Sequence, residues 1–125
     1  MTQSSADGSP SRADEPVLNL VLARRRLGGD EQLLKDLAAF FFDDAPVLVD
    51  ELRSDLTSGK FEEAARAAHS LRGLAANFDA SSAMRVAQAA EDAARAGDRE
   101  GLSRLVESLS VEITRVIASL KREVI

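Results

Sequence analysis

The 125-residue chain contains no cysteine, no tryptophan and no tyrosine. Without cysteine, disulfides, thiol chemistry and cysteine-ligated metal sites are excluded. It has a single histidine, too few nitrogen ligands for an ordinary zinc or haem site. Aromatics make up only 4%, so a core must be assembled from Leu, Ala, Val and a few Phe. Positive charge is in deficit: 16 Lys and Arg stand against 21 Asp and Glu, a net charge of −5. That balance argues against a nucleic-acid partner, which favours a basic face. No apolar run approaches the roughly 20 residues of a membrane span, and the polar N-terminus does not read as a signal peptide. The expectation is a cytoplasmic protein with no membrane partner.

What is present favours helices. A chain of this length fits one domain with a real core. Hydrophobic residues at 45% and charged residues at 30%, with alanine and leucine prominent, give the balance of a helical rather than a sheet protein. Residues 1–14 are rich in Ser, Ala, Asp, Gly and Pro and read as a disordered lead-in. The remainder, 15–125, reads as one helical bundle domain. Asp14-Glu15-Pro16 resembles a helix start, with a short helix expected over 17–27 and stopped by Gly28-Gly29. Arg24-Arg25-Arg26 then falls in its last turn, where cations suit the helix dipole, and is expected to be a solvated helix end.

Asp30 can cap the next helix, whose stripe of Leu34, Leu37, Ala38, Phe41, Ala45, Leu48, Leu52 and Leu56 continues to Ser58-Gly59. Pro46 interrupts it, and proline removes a helical hydrogen bond and clashes with the preceding turn. A break or kink near Asp43-Asp44 is therefore expected. Phe40, Phe41 and Phe42 spread over roughly 200° of helix surface, so at least one must leave the stripe. It would pack under the short N-terminal helix or form an exposed spot for partner docking. A helix from about Lys60 to Phe78 follows. Ser81-Ser82 is expected to cap the next one, with Met84, Ala87, Ala90 and Ala94 inward and a stop at Gly97. Asp98 caps the last helix, where Leu102, Leu105, Val106, Leu109, Ile113, Val116, Ile117 and Leu120 recur three and four apart. The fold class is all-α: an antiparallel four-helix bundle with an additional short N-terminal helix.

The chemistry concentrates in Ala67-Ala68-His69-Ser70-Leu71-Arg72-Gly73-Leu74. In a helix, Phe61, Ala64, Ala65, Ala68, Leu71, Ala75 and Phe78 share one apolar stripe, and His69 lies on its flank about 100° from Ala68. Arg72, three residues on, is a neighbour of His69 on the helix surface. Gly73 leaves the next turn without a side chain, at a cost of roughly 1 kcal/mol relative to alanine. An imidazole of ordinary pKa, about 6.5, is largely neutral near pH 7 and can attack phosphorus through a ring nitrogen. A phosphoryl group adds roughly −2 of charge. Arg72 is placed to offset it, with Arg66 a second and weaker candidate. Ser70 points elsewhere, Asn77 is expected to be structural, and no carboxylate can be paired with His69 from the sequence.

His-x-Leu-Arg-Gly, followed by Asn77 and Ala80, resembles the signature of histidine-containing phosphotransfer (HPt) domains. The likeness runs from about Pro16 to about Leu120. Arg72 replaces the commoner lysine, keeping the charge but changing its shape. Asp79 stands where the family often has glycine, a departure that bears on the helix ending and not on the phosphoacceptor. The resemblance implies a phosphorelay intermediate of two-component signalling. His69 would accept a phosphoryl group from the receiver-domain aspartate of a hybrid sensor histidine kinase and pass it to a response-regulator receiver. The chain would be a monomeric phosphocarrier with no cofactor of its own, and Mg²⁺ would sit on the partner receiver. No nucleotide-binding motif appears, so no phosphorylation from ATP is expected. The alternative is a helical adaptor bundle in which His69 is never phosphorylated.

Overall fold

A computed structural model of the chain describes residues 16–125. The expected disordered segment over 1–14 lies outside the described residues. Among those described there are five helices and no strand: α1 Leu20–Arg26, α2 Glu31–Ser58, α3 Phe61–Ala76, α4 Ser81–Arg95 and α5 Arg99–Glu123. Contacts run α2–α3, α3–α4, α4–α5 and α5–α2, which closes a four-helix ring joined by short loops, with α1 as the additional helix.

The core shows why these sequences pack this way. From α2 come Leu34, Ala38, Phe41, Ala45, Val49 and Leu52, and from α5 Leu102, Val106, Leu109, Ile113, Val116 and Leu120. The facing surfaces of α3 and α4 are mostly alanine, including Ala64, Ala65, Ala68, Ala83, Ala87, Ala90 and Ala94, all buried. Small residues bring helix axes closer together, so α3 and α4 form the tight side of the bundle. Phe41 and Phe78 meet edge to face with centroids 5.8 Å apart, a favoured aromatic geometry.

Several local expectations are corrected. The first helix begins at Leu20 rather than near Val17, and Asp14 and Glu15 lie outside the described residues. Asn19 is its cap, accepting from the Leu22 N–H at 3.1 Å. The Asn19 N–H donates to the Phe78 carbonyl at 3.0 Å, which fixes the chain before the helix against the end of α3. Pro46 does not divide α2, which runs continuously for 28 residues. The proline is exposed, while Phe41, Ala45, Val49 and Leu52 on either side of it are buried. Core packing on both sides thus outweighs the cost of a proline inside a helix, about 3 kcal/mol. Beyond the proline the buried position is Val49 rather than Leu48, which is half-buried. Ser81-Ser82 is not a cap: Ala80 holds the cap position without a side-chain bond, and Ser81 is the first helical residue.

Other boundaries fall as expected. Asp30 accepts from the Leu33 N–H and Asp98 from the Gly101 N–H, each at 3.0 Å. Gly59 ends α2 with φ +72°, and Arg99 donates to the Leu56 carbonyl at 2.8 Å while lying over the Phe61 ring. The three phenylalanines separate: Phe41 is fully buried, Phe42 is half-buried beneath Lys121, and Phe40 is 57% exposed.

The arginine run is more than a solvated end. Arg24 pairs with Glu31 at 2.7 Å. Arg26 crosses to the end of α3, donating to the Ala76 carbonyl at 2.9 Å and pairing with Asp79 at 2.7 Å. Asp79 has φ +49°, the left-handed region that usually takes glycine and that Asp tolerates better than most residues. The arginine supports that turn from outside.

Candidate functional site

α3 carries His69 at its middle because Ala64, Ala65, Ala68, Leu71 and Ala75 hold the adjoining stripe in the core at zero exposure. The imidazole on the flank is left outside, its side chain 58% exposed. His69 Nδ1 lies 3.2 Å from Glu91 Oε1 on α4. Glu91 is buried at 7% exposure. Its other oxygen accepts from Arg95 Nη2 at 2.8 Å and Nε at 3.2 Å. The Arg95 guanidinium, more than burial or the His69 contact, sets the titration of this carboxyl and holds it below its ordinary value of 4.5. Burial acts the other way, and the His69 contact adds to the lowering. A buried carboxylate with a cation on one oxygen and an imidazole on the other is therefore ionised at neutral pH.

Arg72, one turn after His69, is half-buried. Its Nε is buried without a hydrogen-bond partner among the described residues. Buried donors are normally paired, so this side chain carries unused capacity beside the imidazole. Gly73 is exposed, and a Cβ added there would meet nothing within 4 Å. No packing inside the molecule requires glycine at this position, and the helix would be better served by alanine.

The other sequence candidates separate from this cluster. Arg66 and Ser70 line a groove of about 330 Å³ between α2 and α3, with Glu51, Asp55 and Glu63. They belong to the α2 side of α3, whereas His69 meets α4. The backbone of Asn77 closes α3, its N–H donating to the Leu74 carbonyl at 3.3 Å.

Glu91 is the residue that sequence reasoning missed. It sits between Ala87, Ala90 and Ala94 on the inward face of α4, a single carboxylate within an alanine stripe, with Arg95 four residues on. A charge on an otherwise apolar face, with a cation at the spacing of helix-surface neighbours, is the signal that could have found it. His69 as its partner is not local information, since the two are 22 residues apart.

Among the described residues no helix is long and apolar enough to cross a membrane. A family model, the Hpt domain, matches residues 36–122. None of the curated proteins and none of the solved structures matches the chain.

Proposed function

The chain belongs to the Hpt domain family, whose members carry phosphoryl groups in two-component signalling, and from that premise we propose that His69 is the phosphoacceptor of a phosphorelay intermediate. The observation that carries this reading is the exposure of the only histidine of the chain, 58% open at the centre of α3. Its ring nitrogen attacks the aspartyl phosphate of a receiver domain in a hybrid sensor histidine kinase. The group is then handed to the aspartate of a response-regulator receiver.

Arg72 offsets the added charge, its Nε having no hydrogen-bond partner among the described residues. Gly73 leaves room for the receiver surface, because it presents no side chain in a place where one would fit. Phe40 and Val47, 57% and 54% exposed on α2, offer apolar area to a partner. The partner brings the aspartate and Mg²⁺, since phosphoryl transfer is mainly positioning and charge stabilisation. The chain itself is a monomeric, cytoplasmic carrier without a cofactor and does not use ATP.

The test is transfer of label from a phosphorylated receiver domain to the wild type and to His69→Gln. Label on the wild type alone, lost in acid and kept in base, is the expected result. Label on both proteins, or on neither with several donor receivers, would overturn the reading and favour the non-phosphorylated docking bundle.

A further inference from the structure

Charge is unevenly shared among the helices. α2 carries seven acidic and two basic residues, whereas α3 and α4 each carry two of either sign. One of the two bases on α2, Arg53, is taken up by Glu107 of α5. The carboxylates of α2 are not scattered, because they follow an apolar band. Leu33, Phe40 and Val47 recur every seven residues, about 20° short of two full turns, and so run in line along roughly 21 Å of helix. All three are exposed, at 40%, 57% and 54%. Asp36, Asp43 and Asp50 border the band on one side, and Asp44 and Glu51 on the other, at the spacings of helix-surface neighbours. All five are exposed, and none is in an ion pair among the described residues.

The band runs into the His69 face. Val47 lines a recess with Asp44, Leu48 and Glu51. Leu48 and Glu51 continue into the α2–α3 groove that Ser70, the neighbour of His69, also lines. Exposed apolar area gathered in one place marks a contact surface, and here its border says what fits. A second copy of the chain would set carboxylates against carboxylates, and like charges across an interface are costly. An anionic membrane surface is repelled in the same way. The complement is a protein face that is apolar at its centre and basic at its rim.

We propose that α2 selects receiver domains by charge: it accepts those whose docking face is an apolar strip rimmed by Lys or Arg, and rejects those with an acidic rim. This inference rests on the phosphotransfer reading above and adds to it the chemical class of the partner. The band and its border divide the task. Leu33, Phe40 and Val47 supply apolar area that leaves water on docking, which acts mainly on how long the complex lasts. The carboxylates act before contact, since rim charges change the association rate and its salt dependence. Arg72 and Gly73 serve any receiver that arrives, and the carboxylates of α2 decide which one does.

The test uses receiver domains of two kinds, with Lys and Arg or with Asp and Glu around the apolar face beside the phosphorylated aspartate. Each is offered at low concentration to the wild type and to a variant combining Asp36→Lys, Asp43→Lys, Asp44→Lys and Glu51→Lys. Phosphoramidate, a small donor that needs no docking surface, checks the chemistry at His69. The wild type should take label at least about tenfold faster from the basic-rimmed receivers, the lower end of what charge steering yields. That advantage should shrink as added salt screens it. Charge reversal should invert the preference, with phosphoramidate labelling and helix content unchanged. A second variant with Asn and Gln at the same four positions keeps the shapes, and should lose the preference without inverting it. Phe40→Ser should slow transfer from basic-rimmed receivers and leave its salt dependence as it was.

Equal rates from the two kinds of receiver, or a preference that survives both charge changes, would overturn the inference and leave the phosphotransfer reading standing. So would a Phe40→Ser variant that transfers at the wild-type rate, or label from phosphoramidate with none from any basic-rimmed receiver. If phosphoramidate and all receivers fail to label the wild type, the phosphotransfer reading falls and takes the selection with it.

Discussion

Arg26 reaches α3 from a neighbouring helix and Arg72 is part of α3, and the molecule uses them differently. Arg26 reaches the C-terminal end of the helix and commits its donors to the Ala76 carbonyl and to Asp79. Arg72 sits at the centre, beside His69, with a buried Nε that finds no partner among the described residues. The first arrangement is what architecture looks like: a helix-end carbonyl and a left-handed aspartate held together by one side chain. The second leaves capacity unspent next to an exposed imidazole, as a site that awaits an anion would. The same contrast separates Asp79 from Glu91. Asp79 is tied to a turn, whereas Glu91 directs one oxygen to a side chain that is itself open to solvent.

Substituting both arginines tests that contrast first, since it carries the largest expected effects. Arg72→Ala should slow phosphoryl transfer about tenfold, in keeping with loss of a charged hydrogen bond on the order of 1.5–3 kcal/mol, and change stability by no more than about 0.5 kcal/mol. Arg26→Ala should do the reverse. It should cost about 1–2 kcal/mol in chemical denaturation, the sum of a screened, part-exposed ion pair and one backbone bond, with the transfer rate unchanged. Equal effects of the two changes on both readouts would erase the distinction.

Gly73→Ala sharpens the comparison from the other side. It should stabilise the helix by up to about 1 kcal/mol, because a Cβ there meets nothing. Transfer from a receiver domain should slow, while uptake from phosphoramidate stays the same. If both donors are slowed alike, the space at Gly73 is not for a docking partner.

The smallest effect is a pH dependence. The carboxyl of Glu91 is held below its ordinary value of 4.5, chiefly by Arg95 and also by His69 against the cost of burial. The unfolded chain then binds the proton more readily than the folded one, so stability rises with pH. This contribution is complete above the ordinary carboxylate value and is lost as pH falls through the lower, folded one. Urea unfolding across that acidic range should show a shallower slope for Glu91→Gln than for the wild type. Identical slopes would mean that the pair adds no net stability.

Much of the fold was legible because it is written in local periodicity. The stripe from Phe61 to Phe78 enters the core as the spacing predicts, apart from Phe61, which is half-buried. Asp30 and Asp98 cap the helices they precede. What escaped was settled by partners distant in sequence. Pro46 stays within α2 because buried residues on both sides hold the helix, which a local penalty cannot foresee. The start of α1 depends on Asn19 meeting Phe78. Arg26 and Asp79 are 53 residues apart. At the site, His69, Arg72 and Gly73 were visible as one helical neighbourhood, whereas Glu91 enters from another helix and could be seen only as an odd charge among alanines.

The most direct measurement is ³¹P NMR of the protein after phosphorylation by phosphoramidate, with the bond located by correlation to the imidazole nitrogens. The account predicts a single N–P species on a ring nitrogen of His69, absent from His69→Gln. A phosphoester signal, or an N–P signal that persists in His69→Gln, would contradict it.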